Sequence, residues 1–460
     1  MLRCCRLFRI NDLPTEIVTI TLRFAIWDLD SWQRQAHSQL RVTWTCRRWR
    51  EIVLADSTLW NHIWFCSGHP IEREWAWFER ARQTPLVIYI DFGYIGDYFD
   101  DAPEELTVDM SSKPSTKPVK MRQILFRLFA KLTTIHTLFI AVGDWKSASI
   151  ALELLDTFAP SSGVLMLQSF ALHLKGSRED KLSLPWAEVI PHPFLGGVIA
   201  PSLAHLTLAG VPIDWSSSVI RNLTTLDVRD FPESHSPDSA RFWDVLTNCP
   251  GLHTLSMMGA GPRFDEQSSK PVVLPHLHVL TVADFSCQKA MFLFSRISAP
   301  SINDLVLMRL CDDDYLPVFL QITSAFPKVR LLTMCSIWFD ISPVGLESMT
   351  RWLDSMPFLT YLRVAGVPNP FFGLFFRSGN LGNPVAPRLA FLDCEALDPD
   401  ILVQWAQDRQ QFGTPLKKIY VSGEIWNLLD STQIDTLMRL CTLAECPPVP
   451  MMPEEQALSL

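Results

Sequence analysis

The chain holds no Gly-x-Gly-x-x-Gly, no P-loop, no Gly-x-Ser-x-Gly and no His-Glu-x-x-His. None of the local geometries that cradle a phosphate, raise a nucleophilic serine or set two imidazoles on a zinc ion is therefore written into it. No enzyme activity and no cofactor is expected. Cys-x-x-Cys spacing is also missing. The eleven cysteines are odd in number and lie mostly inside apolar runs, which reads as reduced thiols packed in an intracellular protein, cytoplasmic or nuclear. A basic domain is lacking too: 40 Lys and Arg against 49 Asp and Glu leave a net charge of −9, which argues against nucleic acid as a partner. The opening MLRCCRLFRIND meets charge too early for a signal peptide. Val189 to Ile213 carries no charged side chain, but Pro191, Pro193, Pro201, Pro212, Gly196 and Gly197 rule out a continuous helix. That window is expected as loop plus strand, and no membrane partner is expected.

Candidate metal ligands are equally sparse. Asp312, Asp313 and Asp314 directly precede a helix expected at Tyr315, where an acidic turn complements the helix dipole. His276 and His278 flank a strand leucine with no carboxylate or thiol at ligand spacing, and no metal site is assigned. Asp97, Asp100, Asp101, Glu104 and Glu105 fall in a solvated loop. Of the 16 tryptophans, Trp243, Trp352 and Trp405 sit in amphipathic helical stretches and are expected in the core.

What the sequence has in plenty is apolar residues, 48% against 19% charged, enough to bury a large core. They recur as Leu-x-x-Leu-x-Leu with a proline two positions ahead: Leu203/Leu206/Leu208, Leu252/Leu255/Met257, Leu277/Leu280/Val282, Ile302/Leu305/Leu307, Val329/Leu332/Met334, Leu359/Leu362/Val364 and Leu389/Leu392/Cys394. Leu416/Ile419/Val421 adds one more, and Ile135/Leu138/Ile140, Leu167/Phe170/Leu172 and Leu223/Leu226/Val228 are looser members. Helical stretches are expected between them at 240–246, 289–297, 315–325, 346–356 and 401–412, with a last helix from a Ser431 cap to Cys441. A further helix is expected at 71–82, and a first strand at Leu86, Ile88 and Ile90. This pattern resembles irregular leucine-rich repeats. A single unit buries too little to fold alone, so neighbours must stack into a curved parallel sheet with helices outside.

The N-terminal stretch differs. Asn11 and Asp12 are candidate caps, Pro14 and Glu16 suit a first helical turn, and Ile17, Ile20, Phe24 and Trp27 share one helix side. After a polar, Gln-rich insertion, Val42, Cys46, Trp49 and Val53 form the apolar stripe of a second helix whose other faces carry Arg41, Arg47, Arg48 and Arg50. Leu13, Pro14, Glu16 and Ile17, then Cys46, Arg47, Trp49, Arg50 and Ile52, then Leu59 and Trp60 resemble the F-box, in the F-box-like form expanded in fungi. Thr15, Thr21, Leu22 and Thr45 depart from its usual pattern.

The resemblance implies an α/β protein in which a small helical F-box module precedes a leucine-rich-repeat solenoid. The expected divisions are a flexible 1–9, the module at 10–66, a connecting helix, strand and acidic loop at 67–118, the array with its capping helix at 119–446, and a disordered tail at 447–460. It further implies a substrate-recognition subunit of an SCF-type cullin-RING ubiquitin ligase. The Skp-type adaptor would be held by Leu13, Pro14, Glu16, Ile17, Trp49, Ile52, Leu59 and Trp60. A protein substrate would meet strand positions flanking the second core residue of each repeat: Arg229, Tyr361, Arg363, Phe391, Asp393, Glu395, Lys418 and Tyr420. An interaction scaffold that does not assemble a ligase is the alternative.

Overall fold

The computed structural model describes residues 12–27, 32–66, 71–93, 117–161, 164–176, 186, 189–264, 271–376, 384–395 and 397–446. The expected flexible stretch 1–9, most of the acidic loop and the tail 447–460 lie outside them. The chain forms two compact units, one drawn from Met1–Ser177 with His192–Leu203, the other from Arg178–Pro191 with Ala204–Leu460. The division falls within the array expected at 119–446 rather than at 66 or 118. The reason is that strands just after the head pair in register with the first repeats.

The first unit opens with α1 (Thr15–Trp27), α2 (Trp32–Thr45) and α3 (Arg47–Ala55). The Gln-rich stretch expected as an insertion is itself the start of α2. The single helix expected through Val42 to Val53 is broken at Cys46, whose backbone is extended (φ −159°, ψ 165°) and whose thiol accepts the Trp49 amide at 3.4 Å, so a cysteine does the work of an N-cap. On α1 the interior side is Val18, Leu22 and Ile26, while Ile17, Ile20 and Phe24 face outward. The head is tied together by Arg23, whose guanidinium bridges to Asp56 at 3.0 to 3.2 Å, and by Arg48, which donates to the Leu13 carbonyl at 2.7 Å.

There follow β1 (His62–Cys66), α4 (Glu72–Arg80), β2 (Leu86–Phe92), α5 (Lys117–Phe129), β3 (Ile135–Val142), α6 (Trp145–Phe158) and β4 (Ser169–Leu174), the strands parallel in the order β1-β2-β3-β4. The first strand is thus β1, one element earlier than expected. Ile63, Ile88, Leu138 and Phe170 stand in one register row with no exposed surface. On the opposite sheet face Trp64, Tyr89 and Phe139 make a second row, with ring centroids 5.8 and 5.9 Å apart. Trp27 of α1 stacks on His62 at 4.3 Å, fastening the head to that face.

The second unit contains β5 (His205–Ala209), β6 (Thr225–Arg229), α7 (Ser239–Thr247), β7 (Thr254–Met258), β8 (Val272–Val273), β9 (Val279–Ala283), α8 (Cys287–Arg296), β10 (Ile297–Ser298), β11 (Asp304–Leu310), α9 (Leu316–Ile322), β12 (Leu331–Ile337), α10 (Pro343–Asp354), β13 (Tyr361–Ala365), β14 (Phe391–Glu395), α11 (Pro399–Gln411), β15 (Lys418–Val421), α12 (Gly423–Leu428), α13 (Ser431–Leu440) and β16 (Thr442–Glu445). Apart from the short β8-β10 pair, its strands run parallel in chain order. Every Leu-x-x-Leu-x-Leu segment places its last two apolar residues on a strand. The middle ones, Leu206, Leu226, Leu255, Leu280, Leu305, Leu332, Leu362, Leu392 and Ile419, form an unbroken file in register that Leu443 of β16 continues. All are buried.

Helix starts follow local side chains. Asp238, Ser286, Ser342 and Asp398 each accept a first-turn amide, and Asp430, one residue ahead of the Ser431 expected in that role, closes a capping box with Gln433. Strict strand-helix alternation fails at several links, among them β7-β9, where the described residues hold only the short strand β8. Only 20 residues separate Leu203 from Leu223, and the β5-β6 link is a turn in which Asp214 accepts the Ser216 amide at 3.0 Å. Between β13 and β14 a 3-10 segment, Asn369–Phe376, stands in for a helix, and its buried Phe371, Phe372, Leu374 and Phe375 fill the same layer. β16 was also unforeseen, and pairs with β15 after the last helix.

The loop before β14 is held by Arg409 of α11, which is fully buried without a carboxylate. Its Nε donates to the Thr414 carbonyl at 3.0 Å, and its two amino groups donate to those of Val385, Ala386 and Leu389 at 3.0 to 3.3 Å. Burial pushes its pKa down to about 10, so it remains a cation at neutral pH. Arg409→Met, which roughly keeps the volume but removes four hydrogen bonds to backbone carbonyls, should cost about 3 kcal/mol of unfolding free energy, read from denaturant midpoints and from faster amide exchange around 385–414. His62 supplies a pH signature: burial lowers its pKa to about 4. The unfolded chain takes up that proton near pH 6.5 and the folded chain only near 4, so stability falls as pH drops through this window. His62→Phe should lose less stability than the wild type between pH 7 and 4.5; equal losses would exclude His62 as a cause.

Candidate interaction surfaces

Strands β13, β14 and β15 place seven of the eight expected substrate residues on one sheet face. Tyr361 stands beside Phe391, Arg363 beside Asp393, Phe391 beside Lys418 and Asp393 beside Tyr420, with Glu395 next along β14. Side chains alternate between faces along a strand, so Leu362, Leu392 and Ile419 point to the helices while this set points away. Arg229 does not join them: it lies on β6, where its guanidinium holds Asp227 at 2.8 Å. That bond and the adjacent carboxylate raise its pKa.

The members of this face are unequally available. Tyr361 is 1% exposed, Asp393 2% and Tyr420 3%. Tyr361 and Tyr420 form a buried cluster with Leu331, against which Phe391, Ala444 and Cys446 pack. The Asp393 carboxylate accepts the Arg363 Nε at 2.7 Å and the Tyr361 hydroxyl at 3.4 Å, so its charge is spent inside the face. Lys418 lies over the Tyr420 ring, its Nζ 4.5 Å from the centroid. Glu395 is exposed, and Phe391, Arg363 and Lys418 are half-buried, so reachable surface belongs to these four. Burial first, then the nearby Glu395 carboxylate, pushes the Cys335 thiol up to about 11. Leu331, Thr333, Ala444 and Cys446 share the face and were not expected; alternation outward from Leu332 and Leu443, in odd steps, would have placed them.

A second surface belongs to the head. Pro14, Glu16 and Ile17 are exposed, and Ile17, Ile20 and Phe24 repeat at i, i+3 and i+7 along α1 with Phe24 70% exposed. Leu13 and Trp49 are half-buried. The other adaptor positions are corrected by the structure: Ile52, Leu59 and Trp60 are interior. Gln39 donates to the Leu59 carbonyl, and the Trp60 indole donates to the Val53 carbonyl at 2.8 Å and packs on Trp77 at 5.9 Å. They join the head to β1, where a partner cannot reach them.

Among the described residues no cluster of three or more His, Cys, Asp or Glu is arranged to hold a metal ion, and no helix is long and apolar enough to cross a membrane. The acidic run resolves into local bonding: Asp314 accepts the Leu316 amide at 3.0 Å and the Asp340 amide at 2.9 Å. His278 stacks on His253 at 4.4 Å, and burial, then His278, lower the pKa of His253.

The register and repeat pattern define a leucine-rich-repeat-like α/β protein. No family model and no curated protein matches the chain. Among solved structures it is similar to the leucine-rich repeat-containing protein LegL7 from Legionella pneumophila, at 13% identity and a TM-score of 0.34 over 67% of this chain and 91% of that one.

The Arg363-Asp393 pair should behave as a coupled unit. Arg363→Ala strands a buried carboxylate and should cost about 3 kcal/mol, whereas Arg363→Ala with Asp393→Ala should recover at least half of it. Additive losses in denaturant unfolding would refute the coupling.

Proposed function

We propose that the chain is a substrate-recognition subunit of an SCF-type ubiquitin ligase. The helical head docks on a Skp-type adaptor, and the β13-β15 face engages a protein substrate. Its contribution is proximity and orientation, with bond-making left to partner subunits. The observation that carries the reading is the outward apolar stripe Ile17, Ile20 and Phe24, beside Pro14 and Glu16, on a head fused to a leucine-rich-repeat-like body. A soluble protein seldom spends three large side chains on one exposed helix face unless another surface covers them. Phe391 and the aliphatic and guanidinium parts of Lys418 and Arg363 are the side-chain types that anchor protein interfaces.

The second reading is an interaction scaffold outside any ligase. It is favoured by Thr21, which sits between Ile17 and Phe24 on α1 and returns its hydroxyl to the Ile17 carbonyl at 2.9 Å, making the stripe less continuous. Co-purification with a Skp-type adaptor separates the two. Intact protein should capture the adaptor, and Ile17→Asp with Phe24→Asp should weaken capture at least about tenfold without altering thermal stability, since both residues are outward. Failure of the intact protein to bind any Skp-type adaptor would leave only the scaffold.

A further inference from the structure

Three loops that follow neighbouring strands, 210–218 after β5, 230–238 after β6 and 259–264 after β7, meet around a recess of about 420 Å³ within the second unit. Small-molecule sites occupy roughly 300 to 1,000 Å³, and in parallel sheets they gather at the carboxyl ends of the strands. This recess carries both signs of charge. Asp214 and Asp238 line it together with Arg241 and Arg263, yet among the described residues neither carboxylate bridges either guanidinium. Each group is held by its own chain instead. Through Oδ1, Asp214 accepts the Ser216 and Ser217 amides at 3.0 and 3.4 Å, and Asp238, as the cap of α7, accepts the Arg241 amide at 2.7 Å. Both Oδ2 atoms are without a hydrogen bond among the described residues. Arg263 donates from Nε to the Glu233 carbonyl at 3.2 Å and from Nη2 to the Ser234 carbonyl at 2.7 Å, which leaves Nη1 over and the charge without a carboxylate. Arg241 is more fully used, on Asp244 at 2.6 Å and on the Trp215 and Ser218 carbonyls. Pro191, Ile213, Trp215 and Pro237 add an apolar wall.

A wholly anionic ligand would meet two carboxylates here, and a wholly cationic one two guanidiniums. A neutral polyol would leave the charges uncompensated. A molecule with one charge of each sign a few bonds apart answers both. We propose that the recess binds a free α-amino acid with an apolar side chain. Its carboxylate pairs with Arg263, its ammonium with Asp214 and Asp238, and its side chain lies against the proline-isoleucine-tryptophan wall. Charge-assisted bonds of this kind are roughly twice as strong as neutral ones. Backbone bonds fix the three charged groups before the ligand arrives, which lowers the ordering cost of binding. Occupation ties together the loops of three successive strands. The site is separate from the α1 stripe and from the β13-β15 face, and does not rest on the ligase reading.

The test applies saturation-transfer NMR to the full chain with leucine, isoleucine, valine, methionine and phenylalanine, then titrates the best binder against its N-acetyl and carboxamide derivatives. At least one of the amino acids should bind, and loss of either charge should weaken binding about tenfold or more. Asp214→Asn with Asp238→Asn keeps an oxygen for the turn and the cap, since asparagine caps as well as aspartate. This variant should bind the amino acid about tenfold more weakly and lose the preference over the N-acetyl derivative, while retaining the preference over the carboxamide. Arg263→Gln should do the reverse. A partly unfolded chain would not produce such crossed losses. Failure of all these amino acids to bind, equal binding of the blocked derivatives, or binding of maltose in their place would overturn the proposal. No readout involves the adaptor, so its failure and the failure of the ligase reading are separable.

Discussion

The file of buried apolar side chains from Leu206 to Leu443 is the constraint on which the second unit rests. Each member is held by the one before and the one after, through parallel pairing and through packing against the helix layer. A parallel strand offset by one residue would turn its leucines to the open face and its polar residues to the core. The same register thus decides two things at once. It fixes the hydrophobic interior, and it fixes which residues meet on the outward face, where Arg363 comes to lie beside Asp393. In the first unit the shorter file Ile63, Ile88, Leu138 and Phe170 acts likewise.

This dependence explains what could be read from the sequence. Leu-x-x-Leu-x-Leu with an upstream proline repeats because every unit meets the same demand, so those strands and most intervening helices were legible. The elements that escaped lack the shared signal. β16 has only Leu443 as a buried residue, and β1 is a short run, HIWFC, one residue past the Leu59-Trp60 pair that the F-box resemblance had claimed. The break at Cys46 was hidden for another reason. Val42, Cys46, Trp49 and Val53 fit a straight helix by periodicity, and nothing in a cysteine announces a cap, although its sulfur accepts an amide there.

The candidate face was legible in position but not in availability. Counting from Leu362, Leu392 and Ile419 predicts which side chains point away from the helices, and seven of the eight proved to be neighbours. Counting cannot report what lies above them. Asp393 reads as a free recognition carboxylate until Arg363 is seen 2.7 Å away, and Tyr361 and Tyr420 read as open anchors until their burial is known. The head misled in the same manner. Leu59 and Trp60 match a motif associated with a partner, yet here they serve the junction with β1, because a tryptophan that donates to Val53 and rests on Trp77 is worth more inside than on the surface.

Helix α1 shows how burial and binding divide one element. At 100° per residue, Val18, Leu22 and Ile26 lie about 180° from Ile17, Ile20 and Phe24. Both stripes are apolar, so the sequence alone does not say which one faces inward. In the structure α2 and α3 cover the first stripe, leaving the second to solvent. Keeping Phe24 mostly exposed forgoes part of the roughly 1.5 to 3 kcal/mol that burying such a side chain supplies. Ile17, Ile20 and Phe24 therefore add little to the packing of the head, and their apolar surface stays turned to solvent.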